Sequence, residues 1–170
     1  MEHFFCKTKI IVGSQAEAQL QSFSIRRLFL VTDPYFAQSG DADRIAQLSG
    51  ATETEIFSDI TPDPSAQLAA RGAAAVKSFA PDAVVALGGG SAMDCAKAMA
   101  WFAKGHYRLV AIPTTSGSGS EVTDFAILTH NKVKHPLVDS ALRPDMAILD
   151  SDLLQELPKG LIAETGFDVL

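Results

Sequence analysis

The sequence predicts an α/β fold, a Rossmann-like parallel sheet with flanking helices. Two observations predict it. Short β-branched or aliphatic runs alternate with longer helical stretches, which is the rhythm of βαβ units. One of those runs, Ala83–Leu87, leads directly into Gly88-Gly89-Gly90 and then into good helix formers that continue to Lys104. A strand, a glycine turn and a helix start follow one another without a gap.

Taken in order, Lys9-Ile10-Ile11-Val12 reads as a first strand ended by Gly13. Leu28–Thr32 is a clear strand, and Asp33-Pro34 breaks it and starts a helix over Tyr35–Leu48. Glu53–Phe57 is a weaker strand. Pro62-Asp63-Pro64-Ser65 opens the next helix, whose Leu68, Ala69, Ala73, Val76 and Phe79 keep helical spacing. After the glycine turn and its helix, Leu109–Ile112 is another strand, stopped by Pro113. The rhythm then changes. A polar loop leads to Phe125–Leu128, a turn at His130-Asn131-Lys132, and Met146–Leu149, a region with room for an antiparallel hairpin.

The glycine turn is the most informative stretch. Residues without Cβ let an anion approach the backbone, and the dipole of the following helix favours negative charge there. Ser91 stands as its N-cap and Asp94 in the place of a capping-box acid. The competing reading is a tight turn and nothing more. The spacing is not that of the G-x-G-x-x-G dinucleotide fingerprint. Ser116-Gly117-Ser118-Gly119-Ser120 has the composition of a flexible linker. It lies between Ile112-Pro113-Thr114-Thr115 and Glu121-Val122-Thr123, with no domain-sized pieces to join, so it reads better as a second polar lining of the same crevice.

Composition narrows the function classes. Lys+Arg 14 against Asp+Glu 20 gives a net charge of -6, which argues against a nucleic-acid partner. No apolar run approaches the roughly 18 residues that span a bilayer, so no membrane partner is expected. Met1–Lys7 has an early acid and no apolar core, and does not read as a secretory signal. Cys6 and Cys95 lie far apart, and Cys95 reads as a small buried hydrophobe in a reducing cytosol. His3, His106, His130 and His135 are scattered, which disfavours a metal site made from them alone.

Five ordered motifs then carry a resemblance over essentially the whole chain. They are Gly88-Gly89-Gly90-Ser91 with Asp94 and Lys97, Ile112–Thr123, Lys134-His135-Pro136-Leu137, Arg143–Asp150, and Ala163-Glu164-Thr165-Gly166-Phe167-Asp168. The chain resembles the iron-containing (group III) alcohol dehydrogenases, which share a dehydroquinate synthase-like fold. Within that family, Ile60–Pro64 and Gly90–Asp94 look most like the propanol dehydrogenases of bacterial propanediol utilisation.

The resemblance implies an N-terminal α/β domain that binds NAD and a helical C-terminal domain that supplies most of an Fe²⁺ (or Zn²⁺) site. Asp168 matches the family's metal-binding Asp, and the family's metal-binding histidines have no counterpart before Leu170. The expectation is therefore residues 1–160 as the NAD-binding domain and 161–170 as the start of a truncated helical metal-binding domain, inactive alone. A small alcohol or aldehyde would be the substrate. The likeness also implies a cytoplasmic protein, with homo-oligomers and a bacterial microcompartment as associated states. Two alternatives stand beside it: a glycerol dehydrogenase-like enzyme of the same fold, or a nucleotide-binding or microcompartment assembly module without catalysis.

Residue by residue, the resemblance puts Asp33 beside the adenosine ribose. A carboxylate there accepts from a 2′-OH and repels a 2′-phosphate, so NAD is expected over NADP. The competing reading of Asp33 is a cap on the next helix. Asp63, an adenosine-side contact by resemblance, has the same alternative before Pro64. Gly89, Gly90 and Ser91 would cradle the pyrophosphate. Thr114, Thr115, Ser118 and Thr123 resemble the family's adenine- and phosphate-contacting hydroxyls, Ser118 standing where Thr is commoner. Lys134 resembles the lysine that reaches the nicotinamide ribose, against the reading of a solvated hairpin lysine. Asp94 would face the crevice near the nicotinamide, with helix capping as its rival role. Glu121 reads as structural.

Overall fold

The structure, a computed structural model, describes residues 6–155 and 157–168; the secretory-signal reading rests mainly on Met1–Phe5, outside them. The strands are β1 (Lys9–Gly13), β2 (Arg27–Val31), β3 (Glu53–Phe57), β4 (Ala83–Gly88), β5 (Arg108–Pro113), β6 (Phe125–His130), β7 (Val133–Val138) and β8 (Met146–Asp150). The α-helices are α1 (Pro34–Ser39), α2 (Asp41–Leu48), α3 (Ala66–Phe79), α4 (Gly90–Ala103), α5 (Asp152–Gln155) and α6 (Lys159–Phe167). A 3₁₀ helix over Ala16–Phe23 joins β1 to β2.

Six strands form one parallel sheet in the order β1-β8-β5-β4-β2-β3. The side-chain period of two sorts each strand between two cores. Leu28, Leu30, Val85, Leu87, Val110 and Ile112 face the 3₁₀ helix and α2, against Leu20 and Ile45. Phe29, Val31, Val84, Ala86, Leu109 and Ala111 face α3 and α4, against Val76, Met93 and Met99. All six residues of β4 are buried, which explains why it reads as an unbroken apolar run. The parallel α/β fold expected from the sequence is the one observed.

Two elements differ from expectation. The stretch Tyr35–Leu48 is two helices, because Gly40 sits at φ +90° between α1 and α2, a conformation that ends one helix and leads into the next. The antiparallel hairpin pairs β6 with β7, whose Val133–Val138 was not read as a strand; Pro136 within it, and its exposure, hide the pattern. Met146–Asp150 belongs to the main sheet instead, between β1 and β5.

β2 has β3 on one side and β4 on the other, so chain order reverses there. In open parallel sheets the crevice outside the carboxyl ends at such a point is where ligands bind. Asp33 follows β2 and the glycine turn follows β4. The topology thus brings the two strongest sequence signals together.

Candidate functional site

A cleft of about 1110 Å³ opens at this switch point. Its walls include Asp33, Gly89, Gly90, Ser91, Asp94, Thr114, Thr115, Ser118, Lys134 and Asp168, ten of the sequence-derived candidates. Asp63 and Thr123 are the two outside it.

The turn itself requires glycine. Gly88 has φ +146°, and a Cβ there would lie 2.7 Å from that of Ala92. A Cβ on Gly89 would come within 3.2 Å of Thr115, and one on Gly90 within 3.0 Å of Ser118. Bare backbone keeps this space open between the turn and the 114–118 loop. Gly89, not Ser91, is the N-cap of α4, and no side chain caps it. Asp94 is no capping-box acid either. The extended Gly89 places the helix start two residues earlier than a Ser91 cap requires. The first N–H groups of α4 therefore point toward the cleft without a side-chain acceptor, an arrangement suited to an anion.

The two carboxylate oxygens of Asp33 have different surroundings. Oδ1 accepts from the N–H of Tyr35 at 2.9 Å and of Phe36 at 3.2 Å, capping α1. Oδ2 lies 3.7 Å from where a Gly88 Cβ would stand, and no hydrogen bond from the described residues reaches it.

Beneath the cleft floor lies an anchor built on a buried cation. Lys97, only 1% exposed, donates from Nζ toward Ser120 O at 2.7 Å, Phe125 O at 2.7 Å, Ser120 Oγ at 2.9 Å and Thr123 Oγ1 at 3.1 Å. Asp94 Oδ1 accepts from Ser120 Oγ at 2.6 Å, and Oδ2 from the N–H of Ile127 at 2.9 Å. Burial lowers the Lys97 ammonium to about 8, with Asp94, Glu121 and Asp124 pulling the other way. Thr123, expected as a cofactor contact, is not among the residues lining the cleft, and its hydroxyl accepts from Lys97. Cys95, on the same helix, is fully buried, and its thiol is pushed up to about 12, first by burial and then by Asp94, in keeping with an inert core residue.

At the rim, Lys134 Nζ is 2.6 Å from Asp63 Oδ1, and both side chains are mostly exposed. Asp63 caps nothing here: Ser65 is the N-cap of α3, accepting from the Leu68 N–H. On the opposite wall, α6 closes over the 116–117 loop, with a Gly117 Cβ position only 2.4 Å from Thr165 O. That packing sets Leu161, Thr165 and Asp168 against the cleft. Among the described residues, no three His, Cys, Asp or Glu side chains come together as a metal site. Asp168 alone does not fit a resident metal, which wants several strong ligands.

Lys97 and Ser120 are the residues that sequence reasoning left without a role. The available signal was a lysine three residues after Asp94, on the face of α4 that carries Met93 and Ala96 into the core.

Fold and cleft define an open parallel α/β protein with a ligand crevice at its switch point. The family model described as iron-containing alcohol dehydrogenase matches residues 7–151. The chain belongs to that family. Over 177 aligned residues it is 38% identical to the 1-propanol dehydrogenase PduQ of Citrobacter freundii, covering 100% of this chain and 48% of that protein. The iron-containing alcohol dehydrogenase of Thermococcus thioreducens superposes with a TM-score of 0.90 at 28% identity, over 99% of this chain and 52% of that one. The sulfoacetaldehyde reductase of Bifidobacterium kashiwanohense, solved in complex with NAD⁺, superposes with a TM-score of 0.88 at 29% identity, over 99% of this chain and 51% of that one. The chain thus spans about half the length of the relatives it matches.

Proposed function

We propose that this chain is the NAD-binding portion of a metal-dependent alcohol dehydrogenase that interconverts short primary alcohols and aldehydes by hydride transfer. The observation that carries the reading is the bare glycine turn at the start of α4, facing the unengaged Oδ2 of Asp33 across the switch point. Both the shape and the charge pattern suit a dinucleotide. The α4 N–H groups and Ser91 take the pyrophosphate, with Thr114, Thr115 and Ser118 along the loop opposite. Asp33 Oδ2 accepts from the adenosine ribose, its Oδ1 being held by α1, so the carboxylate is oriented before any ligand arrives. Lys134 and Asp63 stand at the rim, where the lysine serves the nicotinamide ribose.

When bound, NAD supplies the hydride acceptor. This chain's residues bind and orient it, and exclude water from the floor through Phe125 and Ile127. In the same reading, residues 1–160 are the cofactor domain and 161–170 open a helical domain, with Asp168 one ligand of Fe²⁺ or Zn²⁺ in a protein of the relatives' length. A cytoplasmic homo-oligomer, associated with a bacterial microcompartment, completes the proposal by likeness to the propanol dehydrogenases. The test is NADH formation from 1-propanol by the product of the whole reading frame that contains these residues. A pure, folded product that reduces NAD with no short primary alcohol refutes it.

A further inference from the structure

We infer that Lys97 is a positioning residue for the cleft: from beneath the floor, it holds the 118–127 segment against the glycine turn without touching a ligand. The inference rests on the dinucleotide reading above. Nζ has three hydrogens for four acceptors, and all four lie on one segment, at Ser120, Thr123 and Phe125. Outside these contacts the segment is tied at Asp124, which pairs with Arg143 and accepts from the Asp139 N–H at 3.0 Å. Before that point Gly119 takes φ +62°, and Ser120 and Val122 make only local bonds, to Ser118 Oγ and Gly119 O. Asp94 repeats the same link one helical turn earlier on α4, fastening Ser120 Oγ and the Ile127 N–H. Ser118, Ser120, Phe125 and Ile127 all present to the cleft, and Ser118 faces Gly90. The anchor therefore controls how closely the second wall approaches the phosphate turn. It does not reach Asp33, which is fixed separately by the N–H groups of α1. The groups charged toward Nζ are Asp94 on its own helix, with Glu121 and Asp124 on the segment.

This separation gives a differential readout. AMP takes the Asp33 side and brings a single phosphate to the turn, whereas the second phosphate and nicotinamide half of NAD also need the wall that Lys97 holds. Lys97→Met should weaken NAD binding about tenfold, the scale of losing a buried charge-assisted anchor, while AMP affinity changes less than about twofold. Lys97→Gln keeps two donors on a side chain one bond shorter and should recover part of the NAD affinity. Hydrogen exchange in Lys97→Met should quicken over residues 118–127 and stay unchanged at the α1 amides. Calorimetry with NAD and AMP on the 170-residue chain measures the affinities. If Lys97→Met does not fold, Thr123→Val removes one acceptor and should cost NAD about threefold, again sparing AMP. Equal loss for NAD and AMP, or wild-type NAD affinity in a folded variant, overturns the positioning role. A wild-type chain that binds neither nucleotide overturns the dinucleotide reading itself.

Discussion

Lys134 Nζ and Asp63 Oδ1 meet at 2.6 Å across the rim, joining β7 to the turn before α3. With side-chain exposures of 63% and 61%, the pair is screened by water and salt. Lys134→Ala should therefore cost about 0.5 kcal/mol of stability or less, by the worth of exposed ion pairs. Its expected consequence is on the ligand: NAD binding weakens several-fold, more so at low ionic strength. Urea unfolding beside NAD titration at two salt concentrations checks both halves. A large stability loss with unchanged affinity would assign the lysine to the fold instead.

In the proposed function Asp33 sets cofactor choice through Oδ2, while its Oδ1 caps α1. Asp33→Gly should relax the NAD preference toward NADP and lose the α1 cap, costing about 1 kcal/mol or less. Asp33→Ser keeps a capping oxygen and removes the carboxylate, so it should relax the preference with the fold intact. The ratio of NAD to NADP affinities in both variants decides the point; an unchanged ratio would sink the assignment.

Lys97 gives the chain a pH signature. Its ammonium titrates near 8 in the folded chain, below its ordinary 10.5, because burial disfavours the charge. Below pH 8 both folded and unfolded chains carry the proton, and the burial cost is fully felt. Between about 8 and 10.5 the unfolded chain binds more protons, so this group's contribution makes stability rise with pH, by up to about 3 kcal/mol. The rise should vanish in Lys97→Met. Urea midpoints of the two proteins across pH 7 to about 10 measure it, the difference between them removing Tyr107 and other shared groups.

Close helix packing depends on Gly72. A Cβ there would lie 2.2 Å from Met99 Cε and 2.8 Å from its Cγ, on a buried side chain of α4. Gly72→Ala should destabilise the chain by about 1–3 kcal/mol through overpacking. Urea unfolding with an unchanged midpoint would mean that Met99 simply moves aside.

The 170 residues produced by themselves should form no NADH from 1-propanol with added Fe²⁺ or Zn²⁺. Among the described residues Asp168 has no companions that make a metal site, and a lone carboxylate leaves most coordination positions to water. Turnover comparable with a full-length relative would mean that the metal is held some other way.

Much of this was legible in the chain, and what was not has physical causes. The buried strands of the main sheet were readable because residues such as Ala83–Leu87 must be apolar on both faces. The glycine turn was readable because only glycine satisfies Gly88. β7 was hidden because an exposed two-stranded ribbon carries no apolar alternation, and Lys134-His135-Pro136 reads as loop. Capping at α4 was misassigned because Ser91 and Asp94 match a local pattern, whereas Asp94 is claimed by the distant Ser120 and Ile127. The partner of the Thr123 hydroxyl was hidden for the same reason: Lys97 lies 26 residues away. Local sequence cannot show which long-range donor such a side chain will accept from.

In the proposed function the Gly88–Gly90 turn receives the pyrophosphate of NAD. Calorimetric titration of NAD into the wild-type chain and into Gly89→Val tests it most directly. A Cβ at Gly89 already stands 3.2 Å from Thr115, so valine crowds the gap the phosphates would enter. Saturable binding to the wild type is expected, with at least about a tenfold loss in a variant that circular dichroism shows to be folded. No heat with the wild type, or equal affinity in the folded variant, would contradict it.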